Sequence, residues 1–129
     1  MDSIRSRASS GSPYEGTVGF ARAVRHGTHV VVSGTAPIWP DGHFMPEAAA
    51  QTRRCWEIAL GALAELGGRP EDVIRTRHYL TNPDDVEDVT LVHGEYFGAI
   101  RPASTIVMVA GLVDPRWKVE VELDAILPE

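Results

Sequence analysis

The chain has 129 residues and a mass of 14.0 kDa, the size of one ordinary domain. It is 43% hydrophobic and 23% charged, which is the composition of a folded globular protein and not of a disordered one. Twelve Lys and Arg against 18 Asp and Glu leave a net charge of −6, which argues against binding a phosphate backbone. No run approaches the roughly 20 apolar residues of a membrane span. The single cysteine, Cys55, allows no intrachain disulfide. Met1 to Gly11 lacks the apolar centre of a secretory signal. The expectation is a cytoplasmic enzyme or binding protein with neither nucleic acid nor membrane as partner.

Residues 1–11, rich in Ser, Arg and Gly, predict a flexible N-terminus ahead of a single domain over 12–129. Val18, Phe20, Arg22 and Val24 alternate with Gly and Ala, a strand period that ends at Gly27. Val30 to Val32 form a short buried strand closing at Ser33-Gly34, so the two pair as a hairpin. Pro40-Asp41-Gly42 is a turn, and Ile38 and Phe44 beside it predict a second, smaller hairpin.

From Pro46 to Leu66 the period changes. Ala49, Thr52, Trp56, Leu60 and Leu63 recur at spacings of three and four, a helix that Gly67-Gly68 terminates. Cys55 inside it reads as a small core hydrophobe. Val73 to Leu80 is a strand, with Ile74, Thr76, His78 and Leu80 on one face and Arg75, Arg77 and Tyr79 on the other. Asn82-Pro83-Asp84-Asp85 starts a second helix, with a capping side chain, proline in the first turn and acids at the positive end of the dipole. That helix carries Val86, Val89, His93 and Phe97 and stops at Gly98. His93 reads as a packed histidine.

Ser104 to Ala110 is a continuous β-branched strand, and Trp117 to Ile126 alternates strictly. The order is β-β-(β-hairpin)-α-β-α-β-β. Two helices must bury their apolar stripes against one face of one sheet, so the fold class is two-layer α+β. The other face carries Arg75, Arg77, Glu120, Glu122 and Arg22. It is either a solvated face with weak ion pairs or an intersubunit surface. On such a surface arginine can hold an anion and a carboxylate can handle a proton. Known chemistry motifs are absent: there is no GxGxxG, Walker A, HExxH or CxxC, and the five histidines have no ligand spacing on one element, so no metal site is expected.

Several segments in order resemble the RidA (YjgF-type) family. They are Gly19-Phe20-Ala21-Arg22-Ala23-Val24, Val32-Ser33-Gly34, Gln51-Thr52 with the helix to Gly67-Gly68, Asp72 to Arg77 with Leu80-Thr81, Arg101-Pro102-Ala103, and Val119-Glu120-Val121-Glu122. The resemblance runs from about residue 13 to 127. It implies a chorismate-mutase-like fold with a mixed sheet and two helices on one face. It also implies a homotrimer with small-molecule clefts between subunits and no cofactor. The family's best-known activity is hydrolysis of enamines and imines such as 2-aminoacrylate to a keto acid and ammonia.

Carried over residue by residue, the resemblance makes Glu120 the catalytic carboxylate. Ser33 and Gly34 match the family's serine and the glycine behind it. The first-strand tyrosine position holds Phe20, and a pocket asparagine on the second helix is replaced by Thr90. The arginine that clamps the substrate carboxylate belongs after Pro102-Ala103, where this chain has Ser104. Serine cannot replace a bidentate charge-assisted contact worth about 2–5 kcal/mol, which argues against the family's best-known reaction. Arg22, two residues from Phe20, is the substitute cation for a carboxylate or imine ligand, and Ser33, Ser104 or Thr105 would donate hydrogen bonds. Two functions follow: a hydrolase of an imine, enamine or related metabolite, or a noncatalytic metabolite-binding or regulatory trimer. A chorismate mutase of the same fold is set aside on the ordered segments. Ribonuclease activity, another label attached to the family, is set aside on the acidic charge.

Overall fold

A computed structural model describes residues 5–129. Six strands form one sheet: β1 (Ser6–Ala8), β2 (Ala23–His26), β3 (His29–Thr35), β4 (Val73–Leu80), β5 (Ala103–Met108) and β6 (Val119–Ile126). The strand order is β1-β2-β3-β6-β4-β5, with only the β4/β5 pair parallel among these strands. That parallel pair needs a crossover, and the helix α2 (Val86–Phe97) supplies it. The longer helix α1 (Ala48–Glu65) packs on β3 and β6, with α2 beside it.

The period-2 pattern of β6 explains this layering. Val119, Val121, Leu123 and Ala125 are fully buried, and Glu120, Glu122 and Asp124 between them are half-buried. Trp56, Cys55, Ala59 and Leu63 of α1 meet that apolar row, together with Val30 and Val32 of β3. Trp56 is 0% exposed, and Phe97 of α2 meets it edge-on at 4.9 Å between ring centroids. Gly67 ends α1 at φ +92°, where the Gly68 and Gly67 amides donate to Leu63 and Ala64 carbonyls, a Schellman closure. Arg25 Nη1 donates to the Leu66 carbonyl at 2.8 Å and ties β2 to that helix end. In the 3-10 turn Pro83–Asp85 that leads into α2, the Asn82 side chain accepts from the Asp84 amide at 2.9 Å, the capping role its sequence predicts.

Several expected elements differ. The segment read as a loose N-terminus contains β1, which pairs antiparallel with β2; residues 1–4 lie outside the described residues. The strand expected from Val18 does not begin there. Glu15–Gly19 form a π-helical turn closed by Gly19 at φ +93°, and the strand starts only at Ala23. The turn at Pro40-Asp41-Gly42 forms, with the Gly42 amide donating to the Trp39 carbonyl at 3.0 Å, but its flanks do not pair as a hairpin. The Ile38 carbonyl instead accepts from Arg54 Nε of α1. Ile74 is 48% exposed and Val73 buried, because the β4/β6 register shifts between Val73 and Arg75. Trp117 lies in the loop before β6, where its amide donates to the Asp114 carbonyl.

The expected charged face forms along β4 and β6. Arg77 lies opposite Glu122 and Tyr79 opposite Glu120. The Tyr79 hydroxyl donates to Glu122 Oε1 at 2.7 Å, and Arg77 approaches the same oxygen at 3.7 Å. Arg22 does not join this cluster; it is buried at the junction of β2 and β3.

Candidate functional site

A cleft of about 920 Å³ opens at the ends of β3 and β6, walled by α1 and by the loops around Tyr14, Trp39 and Val113. Glu120 and Arg22 form its polar floor. Glu120 belongs to the half-buried row of β6, so its carboxylate stands clear of the core. It fits there because residue 34 is glycine: a Cβ at Gly34 would stand 2.2 Å from Glu120 Oε2 and 3.3 Å from Cδ. Burial pushes the Glu120 carboxyl above its ordinary range, the charge of Arg22 pulls it back, and Glu122 adds to the rise. The result is a carboxylate made more basic than usual beside a fixed cation.

Arg22 is 6% exposed. Its Nη1 donates to the Gly34 carbonyl and, at 3.2 Å, to Thr35 Oγ1. Its guanidinium lies 5.4 Å from the Phe20 ring centroid, a cation–π contact. Its Nε has no hydrogen-bond partner. A buried guanidinium nitrogen without a partner is costly, and this one is shielded from solvent behind the cleft floor. Burial lowers the Arg22 pKa, opposed by the charges of Glu15 and Glu120.

Of the residues singled out from sequence, the structure brings together Phe20, Arg22, Gly34 and Glu120. Ser33 sits one step behind: its hydroxyl donates to the Ala21 carbonyl at 2.7 Å, which staples the segment carrying Phe20 and Arg22 to β3. Thr90 lies on the exposed side of α2 and spends its hydroxyl on the Val86 and Glu87 carbonyls. Ser104 and Thr105 are exposed on the edge strand β5, paired with Thr76 and Arg77 and separated from β6 by β4. Within one subunit these three residues are outside the cleft. Sequence reasoning missed Tyr14, Thr35, Trp39, Arg54, Val113 and Trp117, all of which line it. Most of them come from irregular segments, which carry no periodic signal. Among the described residues, no group of three or more His, Cys, Asp or Glu is placed to hold a metal ion. No described helix is long and apolar enough to cross a membrane.

The family model described as Endoribonuclease L-PSP matches residues 12–127. A crystal structure from Mycobacterium tuberculosis, described as a member of the YjgF/YER057c/UK114 family, superimposes with a TM-score of 0.88. It is 40% identical and covers 96% of this chain and 100% of its own. The chain belongs to the YjgF/RidA family. Among YjgF/RidA relatives, an uncharacterized Streptomyces coelicolor protein is 41% identical over 120 residues, 92% of this chain and 90% of its own length. A RutC family protein of Pyrococcus abyssi is 32% identical over 109 residues, 83% of this chain and 84% of its own. The YjgF/RidA fold accounts for the six-stranded mixed sheet and the two main helices seen here.

Proposed function

We propose that this YjgF/RidA member takes a small imine, enamine or related metabolite into the cleft and hydrolyses it. Glu120 is the base for water, and Arg22 is the cation that orients the ligand. The observation that carries this reading is the floor of the cleft: a carboxylate kept clear by Gly34 with a buried arginine lining the same floor. For an imine, the water oxygen bonds to the C=N carbon while Glu120 accepts one water proton. The nitrogen takes up a proton to give a carbinolamine. That intermediate then collapses, its hydroxyl proton is lost, and the nitrogen leaves with its bonding pair as ammonia, so C=N plus water becomes C=O plus ammonia. The charge of Arg22 offsets part of the upward push that burial gives the Glu120 carboxyl.

Ser104 stands where the family resemblance puts the clamping arginine, so 2-aminoacrylate itself is not the expected best substrate. We propose a homotrimer, in which the exposed strand β5 would meet a neighbour and could bring Ser104 and Thr105 to that subunit's cleft. Light scattering on the purified chain tests this. A noncatalytic binding trimer is the second reading, favoured by Phe20 and Ser104 at two positions where the family resemblance implies tyrosine and arginine.

The test of the enzymatic reading is ammonia release from freshly generated 2-aminoacrylate by the natural chain, Ser104→Arg and Glu120→Ala. Activity that is weak in the natural chain, gained in Ser104→Arg and abolished in Glu120→Ala supports a hydrolase with shifted specificity. Inactivity of all three, with retained ligand binding, supports the second reading.

A further inference from the structure

The walls of the cleft differ in character from its floor. Four large apolar side chains left exposed on this molecule, Tyr14 (57%), Val18 (69%), Ile38 (46%) and Val113 (84%), line this one cleft. Trp39 and Trp117 stand with them. Contiguous apolar surface around a few convergent polar groups is how a protein receives a ligand that is apolar at one end and polar at the other. A compound of about six non-hydrogen atoms, such as 2-aminoacrylate, occupies at most roughly 180 Å³ if each atom is allotted the volume of a liquid water. The cleft offers about 920 Å³. Such a ligand would satisfy the floor and leave the aromatic walls in water.

We infer that the cleft is shaped for a carbonyl or imine compound bearing an aromatic side chain, with its polar head over Arg22 and Glu120 and its ring against Trp39 and Trp117. This rests on the reading of the floor given above and adds the substrate class. Trp39 and Trp117 are then specificity-determining residues. Aromatic rings packed edge-on or offset against indole gain beyond the area they bury, and Arg54, held on the Ile38 carbonyl, lines the same cleft.

Phenylpyruvate and pyruvate share one head and differ only by the ring, so they separate the walls from the floor. Each is titrated into the purified full chain, with affinity read by calorimetry and bound-ligand contacts by saturation-transfer NMR. Phenylpyruvate is expected to bind on the order of ten- to hundredfold more tightly, the gain from burying one phenyl group. Trp39→Ala is expected to remove most of that gain and leave pyruvate unchanged. Val113→Asp, at a position 84% exposed in the single chain, is expected to act in the same direction. Arg22→Ala is expected to weaken both ligands alike. Equal affinities that both fall in Arg22→Ala would overturn the aromatic inference and leave the proposed floor standing. Tight phenylpyruvate binding that ignores Arg22→Ala would overturn the head's placement. Binding of neither compound up to about 10 mM, a millimolar-or-weaker interaction, would overturn both.

Discussion

Gly34→Ala probes the floor of the cleft with a single methyl group. The backbone at Gly34 needs no left-handed conformation, so the only conflict is steric: the new Cβ would stand 2.2 Å from Glu120 Oε2 and 3.3 Å from Cδ. The obstructed atom is the end of a side chain that can rotate. Moving it off its preferred rotamer costs about 0.5–1.5 kcal/mol. Replacing glycine by alanine at a compatible backbone position returns about 0.4–1 kcal/mol through the unfolded state. The two nearly cancel, so the thermal midpoint should stay within roughly 5 °C of the natural chain. Function should respond very differently. A displaced Glu120 carboxylate no longer faces the ligand, and the loss of a positioned base costs about 10²–10⁴ in rate. The assay is ammonia release and phenylpyruvate affinity for the natural chain, Gly34→Ala, Glu120→Ala and the double variant, with urea unfolding of each. In the Glu120→Ala background the added methyl has nothing to strike, so the second substitution should be silent. A Gly34→Ala loss of the same size with and without Glu120 would refute the reasoning, as would a drop in stability above about 3 kcal/mol.

Arg22→Ala should move the acid limb of the rate profile to higher pH, because the charge that opposes the upward push on Glu120 is gone; an unmoved limb counts against their coupling. His78 is 1% exposed, with an unpartnered Nε2 and the His93 ring at 5.0 Å, and burial with the nearby His93 holds its pKa down at about 4. The folded state keeps it neutral while the unfolded chain takes up a proton near pH 6.5. Stability should therefore fall by about 3 kcal/mol as pH drops from 6.5 through 4, and His78→Phe should flatten that slope in urea titrations at stepped pH. Gln51 is fully buried and ties Met45, Arg116 and Lys118 backbone groups together. Gln51→Ala should cost about 3 kcal/mol and also weaken phenylpyruvate, since the freed loop carries Trp117. Thr90→Ala, outside the cleft, should change affinity less than threefold by calorimetry.

The main elements were legible wherever burial imposes a period. The strict alternation of β6 and the three-four spacing of α1 each follow from one buried face, and Gly67 and Asn82 mark helix ends because their local bonding needs those residues. The segment before β2 misled because Val18, Phe20 and Arg22 alternate as a strand does, yet Gly19 at positive φ lets the chain close a wide turn there. Phe20, Arg22, Gly34 and Glu120 were found because the family resemblance or strand spacing marks them. The aromatic wall was not, since Trp39, Val113 and Tyr14 reach the cleft from loops whose paths depend on tertiary contacts, such as the Arg54 bond to Ile38. Thr90 illustrates the converse. A helix position read as pocket-lining turns its hydroxyl back onto its own helix, a choice that no spacing rule reveals.

The most direct test of the account is the rate of imine hydrolysis in Glu120→Gln, a change that keeps the size of the side chain and removes only its ability to accept a proton. Freshly generated 2-iminophenylpropanoate is the substrate, and ammonia release is measured beside the natural chain at matched phenylpyruvate affinity. The account predicts a loss of at least about 100-fold in kcat with the fold intact. A Glu120→Gln variant that releases ammonia as fast as the natural chain would contradict it.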